Sequence, residues 1–197
     1  LARRQPVQRR SRQTVEAVLD AVVRILKRDG IDGVTTNRIA EVAGVSIGSV
    51  YQYFPDKRAI YTALHDRHVE QISRVIESTL VEHAAAPFDE LVRALVEALI
   101  DAHASDVELH QLMTTEVPHG GDGARALEVR LRNTFRLALS SRPRPTRTPR
   151  DLDRILFVLP HMVEALSHGA AYRRPPQLSL AAAKEEAVRA VLAYLQS

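Results

Sequence analysis

Cysteine and tryptophan are both missing from the 197 residues, and the aromatics come to only four Phe and five Tyr. Without cysteine there is no disulfide, no thiolate metal site and no thiol nucleophile. So few aromatic rings give no hint of a flat ligand held by stacking. No apolar run approaches the roughly 18 residues of a membrane span. The opening stretch "LARRQPVQRRSRQ" also lacks the apolar core of a secretory signal. A cytoplasmic protein with no membrane partner is the simplest expectation. Catalytic motifs are missing too. There is no phosphate-cradling glycine loop, no HExxH pair, and nothing that couples a Ser or Asp nucleophile to a His base. Neither an enzyme nor a cofactor is expected. His161, Glu164 and His168 share one helix face at i, i+3 and i+7. One helix supplies too few ligands for a metal, so an interhelical polar network is their expected use.

What is present is an ordinary globular composition, 45% hydrophobic and 26% charged, in a chain long enough for a small domain joined to a larger one. The formal net charge of +3 is unevenly spread. Residues 1–62 carry 11 Lys and Arg against 6 Asp and Glu, while the remainder carries 16 against 18. Positive charge gathered at one end points to a polyanion partner there. Residues 1–12, with five arginines and no apolar periodicity, read as a flexible basic arm of the kind that can enter a minor groove.

Apolar spacing predicts helices throughout, about nine in all, and no strand. Val15, Val18, Leu19, Val22 and Leu26 form one stripe that closes near Gly30. Thr35 is placed to cap a second helix that ends at Gly44, and Ser46 to cap a third that Pro55 stops near Phe54. Asp56 is placed to cap a long fourth helix bearing Ile60, Leu64, Ile72, Val75, Ile76 and Leu80. Later stripes run through Phe88 to Leu99, Leu109 to Met113, Leu127 to Ala138, Ile155 to Ala170 and Val188 to Leu195, with loops at 118–123, 141–150 and 172–177. Pro160 falls inside a helix, where it removes the donor that Leu156's carbonyl would use.

Helix, glycine-containing turn and helix over 35–54 is the shape whose second helix enters the major groove of DNA. Its residues suit that task. Ser49 and Gln52 can hydrogen-bond base edges, and Gln pairs with adenine in bidentate fashion. Tyr51 and Tyr53 are long and rigid enough to reach a base or a phosphate, and being two apart they cannot share a helix face. Gly48 is costly inside a helix, by roughly 1 kcal/mol, which suggests close approach of another surface. Lys57 adds a cation just beyond. The stretch "TTNRIAEVAGVSIGSVYQYFPDKRAIY", residues 35–61, resembles the DNA-binding signature of the TetR family of bacterial transcriptional regulators. The resemblance covers about residues 13–62.

The resemblance implies an all-α protein with an N-terminal helix-turn-helix head (13–62) and a larger helical domain for ligand binding and dimerisation (63–197). It implies a homodimer through the last two helices, usually a repressor, that binds a palindromic operator and is released by a small-molecule effector. By position, Thr36, Ser46, Ile47, Gly48, Ser49, Tyr51, Gln52, Tyr53 and Lys57 match the family's DNA-facing residues. By chemistry, Ile47, Ser49, Tyr51 and Gln52 suit bases, and Thr36, Ser46, Tyr53 and Lys57 suit phosphates. Ile39, Val42, Val50 and Phe54 are core under any reading. For the effector, residue type and helix position single out His110, Met113, Glu116, Phe135, Phe157 and His161. The alternative reading is a helical ligand-binding or scaffold protein with a vestigial head.

Overall fold

In the computed structural model the described residues are 5–107, 109, 112, 129, 132–133, 135–136 and 149–196. They form seven α-helices and, among the described residues, no strand. These are α1 (Gln5–Asp29), α2 (Thr36–Ala43), α3 (Ile47–Tyr53), α4 (Lys57–Glu82), α5 (Phe88–Ala104), α6 (Pro149–His168) and α7 (Leu180–Gln196). The expected helices around 109–113 and 127–138 fall largely outside the described residues, which accounts for seven rather than nine.

The chain divides into two compact units. Residues up to Arg67 make the first, joined by Leu109 and Leu112, and residues from His68 onward make most of the second. In the first unit α1 lays Val18, Leu19, Val22, Ile25 and Leu26 against Ile39 and Ala40 of α2, Val50 of α3, Phe54, and Ile60, Tyr61 and Leu64 of α4. Each fully buried aliphatic side chain contributes about 1.5–3 kcal/mol, so this cluster supplies the main cohesion of the head. One expectation is corrected here. The basic arm is not irregular along its length, because α1 begins at Gln5. Arg and Gln are good helix formers, and Pro6 sits in the first turn, where its missing N–H costs nothing. Residues 1–4 lie outside the described residues.

In the second unit α5 is buried on two sides. Leu91, Leu95 and Leu99 meet Ile76 of α4. Val92, Val96 and Ile100, one residue further round, meet Ile155, Leu156 and Leu159 of α6 and Ala187, Val188, Val191 and Leu195 of α7. Two i, i+4 rows offset by one residue give a helix two apolar faces. Polar contacts at both ends set α5 and α7 antiparallel: Lys184 pairs with Asp101 at 2.5 Å, and Gln196 donates to Asp89 at 3.3 Å. α6 is longer than its stripe implied, and Pro160 lies within it. A π-helical turn, Gly169–Arg173, follows and takes in the first two residues of the loop expected at 172–177. The guanidinium of Arg174 closes that turn by donating to the carbonyls of Ala170 and Ala171 at 2.9 Å each.

Candidate nucleic-acid interface

Local hydrogen bonds shape the segment from α2 to α3. Thr35 Oγ1 accepts from the Arg38 amide at 3.2 Å, and Ser46 Oγ accepts from the Ser49 amide at 3.0 Å. Each satisfies a helix-start amide that has no partner within the helix. α2 ends on Gly44 at φ +69°, a left-handed conformation that costs glycine nothing. The Val45 amide then reaches back to the Ala40 carbonyl at 3.0 Å and the Gly44 amide to the Glu41 carbonyl at 3.1 Å, the reciprocal pair of a Schellman turn. Asp56 Oδ1 accepts from the Ala59 amide at 2.8 Å and starts α4.

With its ends fixed, α3 divides sharply. Val50 is 0% exposed and anchors the helix to the core. Tyr51 is 51% exposed and Ile47 41%, and Ser46, Gly48 and Gln52 are exposed as well. Thr36 and Ser49 are half-buried, and the hydroxyls of Ser46 and Ser49 lie 2.8 Å apart. Tyr53 is half-buried and packs on the core, so of the two tyrosines Tyr51 is the one that projects. Lys57 is exposed, with Nζ 5.8 Å from the centroid of the Tyr61 ring. A Cβ added at Gly48 meets nothing nearer than Ser46 Oγ at 3.8 Å. The folded chain therefore does not need that glycine. A continuous outward strip of Ser46, Ile47, Gly48, Tyr51 and Gln52 offers hydroxyl, methyl, backbone, phenol and amide groups, the set that base edges and phosphates accept.

Two arginines that the sequence did not single out brace this head. Arg24 of α1 donates to the carbonyl of Val42, near the end of α2, at 3.2 Å. Arg67 of α4 bonds Glu16 at 3.2 Å and Asp20 at 2.7 Å, both on α1. Neither partner sits at a helical repeat from its arginine, so no local pattern marks them.

Of the six residues named for an effector, Phe135, Phe157 and His161 are among the described residues. His110, Met113 and Glu116 lie outside the described residues. Phe135 is half-buried against the second unit's apolar clusters. Phe157 is 67% exposed, and His161, also exposed, stacks 5.3 Å from it. Both lie off the α6 face that carries Ile155, Leu156 and Leu159. The polar cluster the second unit does contain centres on His103, which was not anticipated. It is buried near the end of α5, and its Nδ1–H donates to the Leu99 carbonyl at 2.7 Å. Its ring lies 5.7 Å from that of His68 on α4 and 4.8 Å from that of His168 on α6, with Tyr172 5.4 Å beyond His168. His68 is half-buried. Burial pushes the His103 imidazole below its ordinary pKa, against the opposing effect of its bond to Leu99; nearby His168 lowers it further and Glu164 raises it. Among the described residues no group of His, Asp or Glu is arranged to hold a metal ion, and no helix is long and apolar enough to cross a membrane.

Residues 18–64 match the family model described as bacterial regulatory proteins, tetR family, and residues 87–195 match the tetracyclin repressor-like C-terminal domain. The nucleoid occlusion factor SlmA of Actinobacillus pleuropneumoniae serotype 5b (strain L20) is 35% identical over 65 residues, 32% of this chain and 32% of that protein. The chain thus matches about a third of that relative's length. A TetR-family transcriptional regulator from Streptomyces coelicolor superposes with a TM-score of 0.64 at 22% identity, covering 92% of this chain and 99% of the other. FadR from Bacillus subtilis, solved in complex with stearoyl-CoA, superposes with a TM-score of 0.65 at 15% identity, covering 89% and 96%. At such identities the likeness to the two structures is one of fold. The C-terminal model alone spans more than half the chain, and the helix-turn-helix geometry agrees with the N-terminal one: the protein belongs to the TetR family of bacterial transcriptional regulators, with α2 and α3 as its helix-turn-helix.

Proposed function

We propose that this regulator is a homodimeric repressor that reads a palindromic operator with α3 and leaves it when a small molecule binds the second unit. The observation that carries the reading is the outward strip of α3. Ile47 and Tyr51 are large apolar or aromatic side chains left exposed beside a glycine that the fold does not require. A short helix reads few base pairs. Two copies about one DNA turn apart multiply its discrimination, which is why a two-fold operator suits it. On this reading Ile47, Ser49, Tyr51 and Gln52 contact bases, and Thr36, Ser46, Tyr53 and Lys57 hold phosphates.

The exposed Phe157 on α6, and a shallow groove of about 360 Å³ lined by Val188, Leu192 and Arg189 of α7, support pairing of the last two helices with those of a second copy. The similarity in fold to a regulator solved with stearoyl-CoA supports a small-molecule effector. Binding in the second unit would favour a spacing of the two recognition helices that fits the operator poorly. The cytoplasm is the compartment this function requires.

The test is selection of bound sequences from a random duplex pool by the purified protein, repeated with the Tyr51→Ala, Gln52→Ala double variant. The expected result is a two-fold palindrome that the double variant fails to enrich. Recovery of only salt-sensitive general binding by the wild-type chain would sink the operator reading.

A further inference from the structure

We propose that Arg58 is a second phosphate anchor of the DNA-binding head, beside Lys57, and that the arginines of α1 and α2 nearest the helix-turn-helix are committed to the fold instead. The inference rests on the DNA-binding reading of the head and says which of its cations take part.

By charge alone, all the lysines and arginines of residues 1–62 are equal candidates for a polyanion. Around the helix-turn-helix the structure separates them. Arg24 spends its guanidinium on the carbonyls of Asp20 (3.3 Å) and Val42 (3.2 Å). Arg28 makes two bonds to Asp29, at 2.8 and 2.6 Å. Arg38 pairs with Glu41 at 2.5 Å, and Lys27 is engaged within the fold as well. Just beyond, Arg67 is taken up by Glu16 and Asp20. An arginine already facing a carboxylate has its charge largely cancelled, and it must break that pair before it can displace a counterion from DNA.

Arg58 differs. It is exposed, and among the described residues no carboxylate and no side-chain hydrogen bond engages its guanidinium; only its main-chain carbonyl accepts, from Thr62 Oγ1 at 3.0 Å. The nearest acidic side chain in sequence, Asp56, has an oxygen turned onto the Ala59 amide. α3 ends at Tyr53 and α4 begins at Lys57, so Arg58 follows the outward strip by only a few residues. The first turn of α4 contains no acidic residue, and cations there oppose the helix dipole. Lys57 and Arg58 therefore occupy positions that the fold itself disfavours, and a polyanion outside the chain explains them. The two cations have different chemistry. Lys57 is a point charge with Nζ near the Tyr61 ring, whereas Arg58 presents a planar fork that two phosphate oxygens can accept together.

The test is the salt dependence of DNA binding by the full chain. Fluorescence anisotropy would be read on a labelled duplex of random sequence and on any operator recovered by selection. Each phosphate contact contributes about 0.9 to the slope of log K against log salt. Arg58→Gln is expected to make that slope shallower by about this amount on both duplexes, and Arg58→Lys to restore most of it. Arg38→Gln removes the same formal charge from a paired arginine and is expected to leave the slope as it was. An unchanged slope in Arg58→Gln, or an equal loss in Arg38→Gln, overturns the assignment. Failure to recover an operator would instead count against sequence reading by α3, because the random duplex still decides Arg58. Absence of binding to any duplex at low salt overturns both.

Discussion

Val50 and Tyr51 are neighbours in sequence and opposites in role. Val50 is fully buried, so Val50→Ala is expected to cost about 2 kcal/mol of stability. Tyr51→Ala should leave stability within about 0.5 kcal/mol and weaken operator binding by roughly 1–3 kcal/mol, the worth of a good base contact. Urea unfolding and anisotropy titration on the same two variants separate the effects; a Tyr51→Ala protein that unfolds early but binds normally would reverse the assignment. Gly48 makes the sharper case. Its surroundings hold room for a methyl group, so Gly48→Ala is expected to stabilise the head by up to about 1 kcal/mol. The same methyl would stand between α3 and the DNA, and operator affinity is expected to fall about tenfold, or 1.4 kcal/mol. A variant more stable and equally tight would show that nothing approaches the helix there.

The elements that place the site depend on caps. Ser46→Ala removes the acceptor for the Ser49 amide and is expected to cost about 1 kcal/mol, as is Thr35→Ala at the start of α2. Ser46→Asp keeps an acceptor and should recover stability in thermal melts, while its negative charge lowers DNA affinity. Loss of affinity in Ser46→Ala but not in Ser46→Asp would mean that Ser46 serves binding only as a cap and holds no phosphate. These caps were legible in the sequence because a cap is a local bond spanning three residues, and Thr35, Ser46 and Asp56 all occupy the predicted places. The Arg24 bond to the Val42 carbonyl was not legible. It links residues 18 apart, and only the packing of α1 on α2 brings them together.

At the scale of the molecule, two properties can be checked. His103 has a pKa held below its ordinary value of 6.5, chiefly by burial. As pH falls through 6.5 the unfolded chain takes up a proton that the folded chain refuses. The contribution of His103 is therefore full above that pH and declines below it until the depressed folded value is reached. Melting temperatures from pH 7.5 to 5 are expected to fall in the wild-type chain and to fall less in His103→Gln; parallel curves would show that another group carries the acid sensitivity. The second property is assembly. Phe157→Glu places a charge on the exposed face of α6 and is expected to yield monomers in sedimentation, with the two-fold operator bound weakly while each head stays folded. A dimer that survives the substitution would move the interface elsewhere.

The sequence by itself determined the all-helical class, the helix-turn-helix from Thr35 to Phe54, and the family, because caps, apolar periods and the glycine at the turn act over one or two helical turns. It also named Ile39, Val42, Val50 and Phe54 as core, and all but Val42, which packs half-buried against the cluster, are buried. Only the tertiary structure decided that Tyr51 projects while Tyr53 packs, because that depends on which face of α3 meets α1. It alone left Phe157 and His161 exposed and drew His68, His103 and His168 together from three helices. It also told the arginines apart. Charge can be counted along a chain, but whether a cation is spent on a carboxylate or left for another molecule depends on what folding brings beside it.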